Sequence, residues 1–171
     1  PSSGWSHELT CLPVSHPFAS TLVVLASTFT LASCSSDDTA GKKVADPAAL
    51  ISSLKGASDA DVTKGCESLV GTGSSVSKDV GQNVLLTGGM ASSDSDGQAE
   101  LLCDYANDDG SLGLTVYLTV HESEQDAADA ITIDGDATDN AETVSVYLED
   151  TSQVLTSSKR EAAQRAMAQR L

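Results

Sequence analysis

Few side chains in this 171-residue chain are suited to chemistry, and their spacing decides how far each can be taken. Histidine occurs only at His7, His16 and His121. A Ser-His-Asp triad in the body of the chain would have to use His121, and no G-x-S-x-G elbow accompanies it. His121 closes an alternating run, which puts it outward at a strand end as an exposed residue. The segment GTGSSVSKDVG, Gly71 to Gly81, begins like a dinucleotide-binding turn, but Val76 stands where the third glycine belongs and the segment follows a helical pattern. No P-loop and no H-E-x-x-H occurs. Calcium wants six to eight oxygens. Ser92-x-Asp94-x-Asp96-Gly97 has the front half of an EF-hand loop, yet Cys103 occupies the position of its closing glutamate. Asp134, Asp136, Asp139 and Glu142 (DGDATDNAE) are a weak calcium candidate that matches no established loop, and a solvated loop is the simpler reading. These patterns lead us to expect no catalytic residue, no cofactor and no metal site.

The cysteines say more. From Leu9 to Ser36 there is no Asp, Glu, Lys or Arg, and Phe18 to Leu31 is an apolar block diluted by Ser and Thr. Its length falls short of the roughly 20 residues of a spanning helix and suits the apolar region of an export signal. The block ends in Leu-Ala-Ser-Cys, which resembles the lipobox of bacterial lipoproteins. The resemblance implies a signal peptide over residues 1–33, cleavage before Cys34, and a diacylglycerol with palmitate-type chains on the Cys34 sulfur. Two acyl chains hold a protein firmly on a membrane where one binds marginally. Residues 34–45 would then be the lipidated cysteine and a polar tether, reaching up to about 35 Å if fully extended. Residues 46–171 would be one extracytoplasmic domain. Residues 1–17 depart from an export signal in carrying no Lys or Arg.

Export governs the remaining thiols. Cys11 leaves with the leader, so Cys66 and Cys103 become an even pair in an oxidising setting, where a disulfide is the expected state. Closing that loop is worth about 4 kcal/mol in the chain-entropy model. A metal site is the rival, with neither a CxxC nor a neighbouring His to support it.

Formal charge is −16, and all nine Lys and Arg lie at Lys78 or earlier or at Lys159 or later. Between Asp79 and Asp150 stand seventeen Asp and Glu and no basic residue. Such a surface repels a phosphate backbone, which excludes nucleic acid as a partner. It reads first as a solvated surface, and second as a site for cations or a basic partner. The only Trp and both Phe precede Cys34, leaving Tyr105, Tyr117 and Tyr147 as the aromatics of the proposed domain.

These residues must be positioned by short elements. Asp46-Pro47 opens a helix with Leu50, Ile51 and Leu54 on one side and Gly56 as its stop. Ser58 caps a second helix carrying Val62, Cys66 and Leu69, ended by Gly71 and Gly73. Val76, Val80 and Val84 to Leu86 read as parts of strands, and Gly88 to Gly97 as a loop. LLCDYANDDGSLGLTVYLTVH is a hairpin with a turn at Asn107 to Gly110. Its second strand buries Leu112, Leu114, Val116, Leu118 and Val120 and turns a polar set outward. Ser123 caps a helix over 124–130, and Thr143 to Leu148 is another strand. Ser158 to Glu161 is a capping box for a last helix ending at Leu171, with Ala163, Met167 and Leu171 inward. The expected fold is α+β: a small antiparallel sheet packed on one face by a few short helices, preceded by the leader.

From Cys34 to Ala130 the layout is similar to that of small secreted actinobacterial lipoproteins with one cysteine pair and no established activity. The layout runs from lipobox and tether through a helix with a Cys to a second Cys leading C-D-Y-x-x-x-D-G. The resemblance supports the disulfide and the fold class and transfers no catalytic residue. The expected function is that of a membrane-anchored ligand-binding or protein-interaction module without catalysis, facing out of the cytoplasm. Its partners would be the membrane, through Cys34, and a protein or small molecule of the cell envelope. The alternative is a hydrolase-like envelope enzyme using carboxylates of the acidic segment.

Overall fold

The computed structural model describes residues 43–93, 97–132 and 136–171. The leader, Cys34 and most of the tether lie outside the described residues, as do Asp94, Asp96 and Asp134. None of the described helices is long and apolar enough to cross a membrane.

Helix α1 (Pro47–Ser53) starts at Asp46, whose carboxylate accepts from the Ala49 amide at 2.8 Å, with Pro47 in the first turn where no donor is missed. Ser58 caps α2 (Asp59–Leu69), and Val62, Cys66 and Leu69 are buried as their spacing requires. The next segment departs from expectation. Val76 and Val80 belong to helix α3 (Gly73–Val80), not to strands, and Gly73 opens this helix instead of ending the previous one. Two valines four apart fit a helical face, and Gly81 closes the helix in the left-handed region at φ 69°. A Cβ on Gly73 would lie 2.6 Å from the Val84 carbonyl, so the start of α3 can approach the chain there only as glycine.

Five antiparallel strands form one sheet in the order β1-β2-β3-β5-β4, with β1 (Leu85–Ser93), β2 (Ala99–Ala106), β3 (Gly113–Val120), β4 (Asp139–Ala141) and β5 (Val144–Asp150). The β2–β3 hairpin and β5 fall where alternation puts them. Leu101, Cys103 and Tyr105, then Leu114, Val116 and Leu118, then Val144, Val146 and Leu148 line one buried face. Gly88 to Ser93 is strand, not loop. The segment lacks apolar alternation because its inward positions must be small. A Cβ on Gly89 would come within 2.8 Å of the Leu102 carbonyl, 3.0 Å of Cys66 Sγ and 3.2 Å of Val62.

Cys66 and Cys103 are joined by a disulfide with Cα atoms 5.7 Å apart, so α2 is bonded to β2 and seated over Gly89 of β1. Helix α4 (Glu124–Ala128), capped by Ser123, leads toward β4. Helix α5 (Ser157–Ala168) is capped by Thr156, not by Ser158, and ends three residues before Leu171, while Ala163, Met167 and Leu171 are buried as expected.

Three side chains fasten this assembly. Gln164 of α5 accepts from the Leu148 amide at 3.0 Å and donates to the Ala137 carbonyl and to Asp139 Oδ2, which pins β4 beside β5. Arg170 donates twice to the Val70 carbonyl, at 3.0 and 2.8 Å, and pairs with Asp79 at 2.7 Å. The buried Tyr105 hydroxyl donates to the Gly71 carbonyl at 2.7 Å. Carbonyls at the end of α2 thus find donors, as a helix C-terminus requires.

Replacing both Cys66 and Cys103 by Ala should lower unfolding free energy by about 4 kcal/mol, since the bond spans 37 residues; urea denaturation of both proteins checks this. A second expectation concerns Asp150. Burial pushes its pKa up, but donors from Leu155 N and from Ser152 N and Oγ outweigh that and hold it below the ordinary carboxylate range. Its stabilising contribution is therefore present above the unfolded-state value near 3.8 and is lost as pH falls through the lower folded value. Asp150→Ala should cost about 2 kcal/mol at pH 7, with the gap to the native chain narrowing in denaturation curves as pH falls below the ordinary carboxylate range.

Candidate functional site

Of the carboxylates singled out in the sequence, Asp136, Asp139 and Glu142 lie among the described residues, and each has its own surroundings. Asp136 accepts from the Tyr147 hydroxyl at 3.0 Å and faces Arg160 at 3.4 Å. Asp139 accepts from Gln164 and lies 3.8 Å from Arg165. Glu142 is exposed in the β4–β5 turn at φ 52°. Among the described residues no three Cys, His, Asp or Glu gather as a metal site. Asp136, Asp139, Tyr147, Arg160, Gln164 and Arg165 share a shallow cleft of about 230 Å³. That volume is below the usual range for a small-molecule pocket. Glu161 also lines the cleft, and each aspartate is paired with one of its two arginines.

His121 is half-buried and not fully exposed. Its Nε2 lies 2.7 Å from Ser145 Oγ. Ser145 is only 5% exposed, so this hydroxyl is closed to an incoming substrate and the pair fits a structural hydrogen bond. The position still has meaning, because His121 and Ser145 mark the sheet face opposite α2 and α5.

That face is organised by register. Met90 pairs with Leu102, Leu102 with Tyr117 and Tyr117 with Tyr147, giving one apolar row across β1, β2, β3 and β5. At about 4.8 Å between strands the row is roughly 15 Å long. Met90 is 55% exposed, and Leu85, on the same face of β1, is 54% exposed. The two tyrosine rings are 6.0 Å apart and tilted by 37°. On one side runs the row Gly88, Asp104, Thr115, Glu149; on the other runs Ser92, Glu100, Thr119, Ser145. The apolar row is thus bordered by carboxylates on both sides, about 7 Å away.

Asp104 accepts from Thr115 Oγ1 at 2.8 Å, and Glu149 accepts from the Tyr117 hydroxyl at 2.8 Å. Neither carboxylate is in an ion pair among the described residues. The Tyr117 pKa is pushed up to about 12, first by partial burial, then by the hydrogen bond to Glu149, then by the negative charge of Glu149, Glu100 and Asp104. Tyr147 moves the same way, through burial and then its bond to Asp136. Both phenols are neutral donors at physiological pH.

Alternation along β3 turns Tyr117 outward, but the sequence does not say that Met90, Leu102 and Tyr147 stand beside it. The signal was the repeat of large side chains at outward positions of strands that also carry Asp104, Glu100 and Glu149. Lining them up needs the register.

Compared with known proteins, the chain matches no family model, no curated protein and no solved structure.

If Glu149 holds the Tyr117 phenol, Glu149→Gln should bring its pKa down from about 12 toward 10, because the neutral amide removes the charge that opposes ionisation. NMR titration of the Tyr117 ring carbon checks this, with Tyr147→Phe used for assignment. An unchanged value would mean that burial alone sets it.

Proposed function

We infer that this chain is a membrane-anchored interaction module outside the cytoplasm, held by a lipid on Cys34 and binding its partner through the uncovered face of its sheet. The observation that carries the reading is the apolar row Met90, Leu102, Tyr117 and Tyr147 on the sheet face opposite α2 and α5. An antiparallel sheet can expose one face to water, and that face is then normally polar. Here its centre holds a Leu, a Met and two of the three tyrosines that follow Cys34. Exposed apolar side chains gathered in this way mark contact surfaces more often than solvated ones.

The anchor rests on sequence: Leu31 to Cys34 fits a lipobox, and the disulfide suits an oxidising compartment. In the shallow cleft beside α5, Asp136 and Asp139 are each held by an arginine and a further hydrogen bond, which suits structural contacts more than a hydrolytic pair.

Two measurements test the reading. Intact mass spectrometry of the protein from its native membranes should show a chain starting at Cys34, with the mass of a diacylglycerol and the two-hydrogen deficit of one cystine. A free Cys34 thiol with residues 1–33 still attached would overturn the anchor. A photoreactive phenylalanine analogue at position 90 should cross-link an envelope partner, whereas one at position 162, exposed on α5, should not. Equal cross-linking from both positions would remove the sheet face as the contact surface.

A further inference from the structure

We propose that the open sheet face is a docking surface for an extended cationic protein segment in which arginine or lysine stands two residues to either side of an apolar one. The apolar side chain would lie on the Met90–Tyr147 row, and the cationic ones would reach Asp104 and Glu149 on one side and Glu100 on the other. The proposal rests on the interaction reading above and names the chemistry of the partner.

Charge complementarity is the first support. From Asp79 to Asp150, the span that includes every strand, there is no Lys or Arg. Sheets commonly place lysine on exposed faces and edges to keep other chains away. This one places carboxylates on both flanks of an apolar row. Asp104 and Glu149 are held by the hydroxyls of Thr115 and Tyr117, which fix their direction without neutralising them.

Geometry is the second support. Apolar and acidic rows alternate at about 7 Å, the repeat of like-facing side chains along a strand. An extended ligand lying parallel to the strands meets that spacing when a basic residue stands two positions to either side of an apolar one, because residues i and i+2 face the same way. The tyrosine faces add to this, because a guanidinium stacks on an aromatic ring and its planar fork suits a carboxylate. Other occupants fit less well. A second copy would bring the same acidic face against this one, and nucleic acid would be repelled.

The test uses the full chain in a non-ionic detergent and a fluorescein-labelled eight-residue peptide, Arg-Ser-Val-Ser-Arg-Ser-Val-Ser, followed by anisotropy. Binding should weaken roughly tenfold between 50 and 300 mM salt, as screening of exposed charges requires. The Glu-Val peptide, the same sequence with Glu in place of Arg, should not bind. The double variant Asp104→Asn/Glu149→Gln keeps both oxygen acceptors and should weaken binding about tenfold, at the strength of two exposed ion pairs. Met90→Lys changes an exposed side chain and should weaken it by a similar factor, while Met90→Leu should bind as the native chain does. Circular dichroism of each variant verifies the fold.

Salt-independent binding, binding of the Glu-Val peptide, full displacement by equimolar spermine, or native affinity in both Asp104→Asn/Glu149→Gln and Met90→Lys would each overturn the proposal. The broader reading fails separately. If Leu85→Lys, on the same face of β1, abolishes cross-linking from position 90 while Asp104→Asn/Glu149→Gln leaves it intact, the face is a contact surface whose partner is not cationic.

Discussion

The bond between Cys66 and Cys103 decides which face of the sheet is covered. It joins the middle of α2 to the second strand from the edge, and it does so across Gly89, where a side chain would meet a carbonyl and the disulfide sulfur. With α2 held there, Val62, Cys66 and Leu69 close over β1 and β2, and α5 closes over β5 through Ala163, Gln164 and Met167. The aliphatic face is used up by these contacts. What remains on the other side is set by alternation: every inward Val or Leu of β3 fixes an outward Thr or Tyr. The open surface is therefore a consequence of the disulfide and the period of the strands together.

Charge is divided along the same line. The basic residues of the C-terminal segment, Arg160, Arg165 and Arg170, sit opposite Asp136, Asp139 and Asp79 and help tie α5 to the β4–β5 edge and to α3. These pairs are partly exposed and worth little individually. Their effect on the surface is larger than their effect on stability, because they neutralise carboxylates of α3 and of the β4 edge and leave Asp104, Glu149 and Glu100 as the carboxylates beside the apolar row. A negative charge of −16 is thus not spread evenly over the molecule.

Much of this was legible in the sequence, for reasons that differ by element. The β2–β3 hairpin was clear because five aliphatics alternate over ten residues after an Asp-Gly turn. Helices α1 and α2 announced themselves through Asp46-Pro47 and Ser58. The disulfide followed from counting thiols under the lipobox resemblance. Strand β1 was hidden because its inward positions are small to admit α2, so hydrophobic period, the usual strand signal, is missing. Helix α3 was hidden because two valines are too few to separate period two from period 3.6. Strand β4 is only three residues long and exists through its pairing with β5 and the hold of Gln164, neither of which is local. The capping of α5 by Thr156 in place of Ser158 is a choice between neighbouring hydroxyls that packing makes.

The open face illustrates a more general limit. Each of its residues can be assigned outward from its own strand, yet a site is a relation between strands, and register is settled by turns, a bulge near Thr87 and the disulfide acting together. Shifting β1 by one residue against β2 would send Met90 into the core and bring Gly89 outward. The glycine that admits the disulfide would then face solvent, and the sulfur would meet a side chain instead. The same close contact that holds α2 down therefore holds Met90 in line with Leu102 and Tyr117. The geometry of the binding face and the packing of the core are two readings of one constraint.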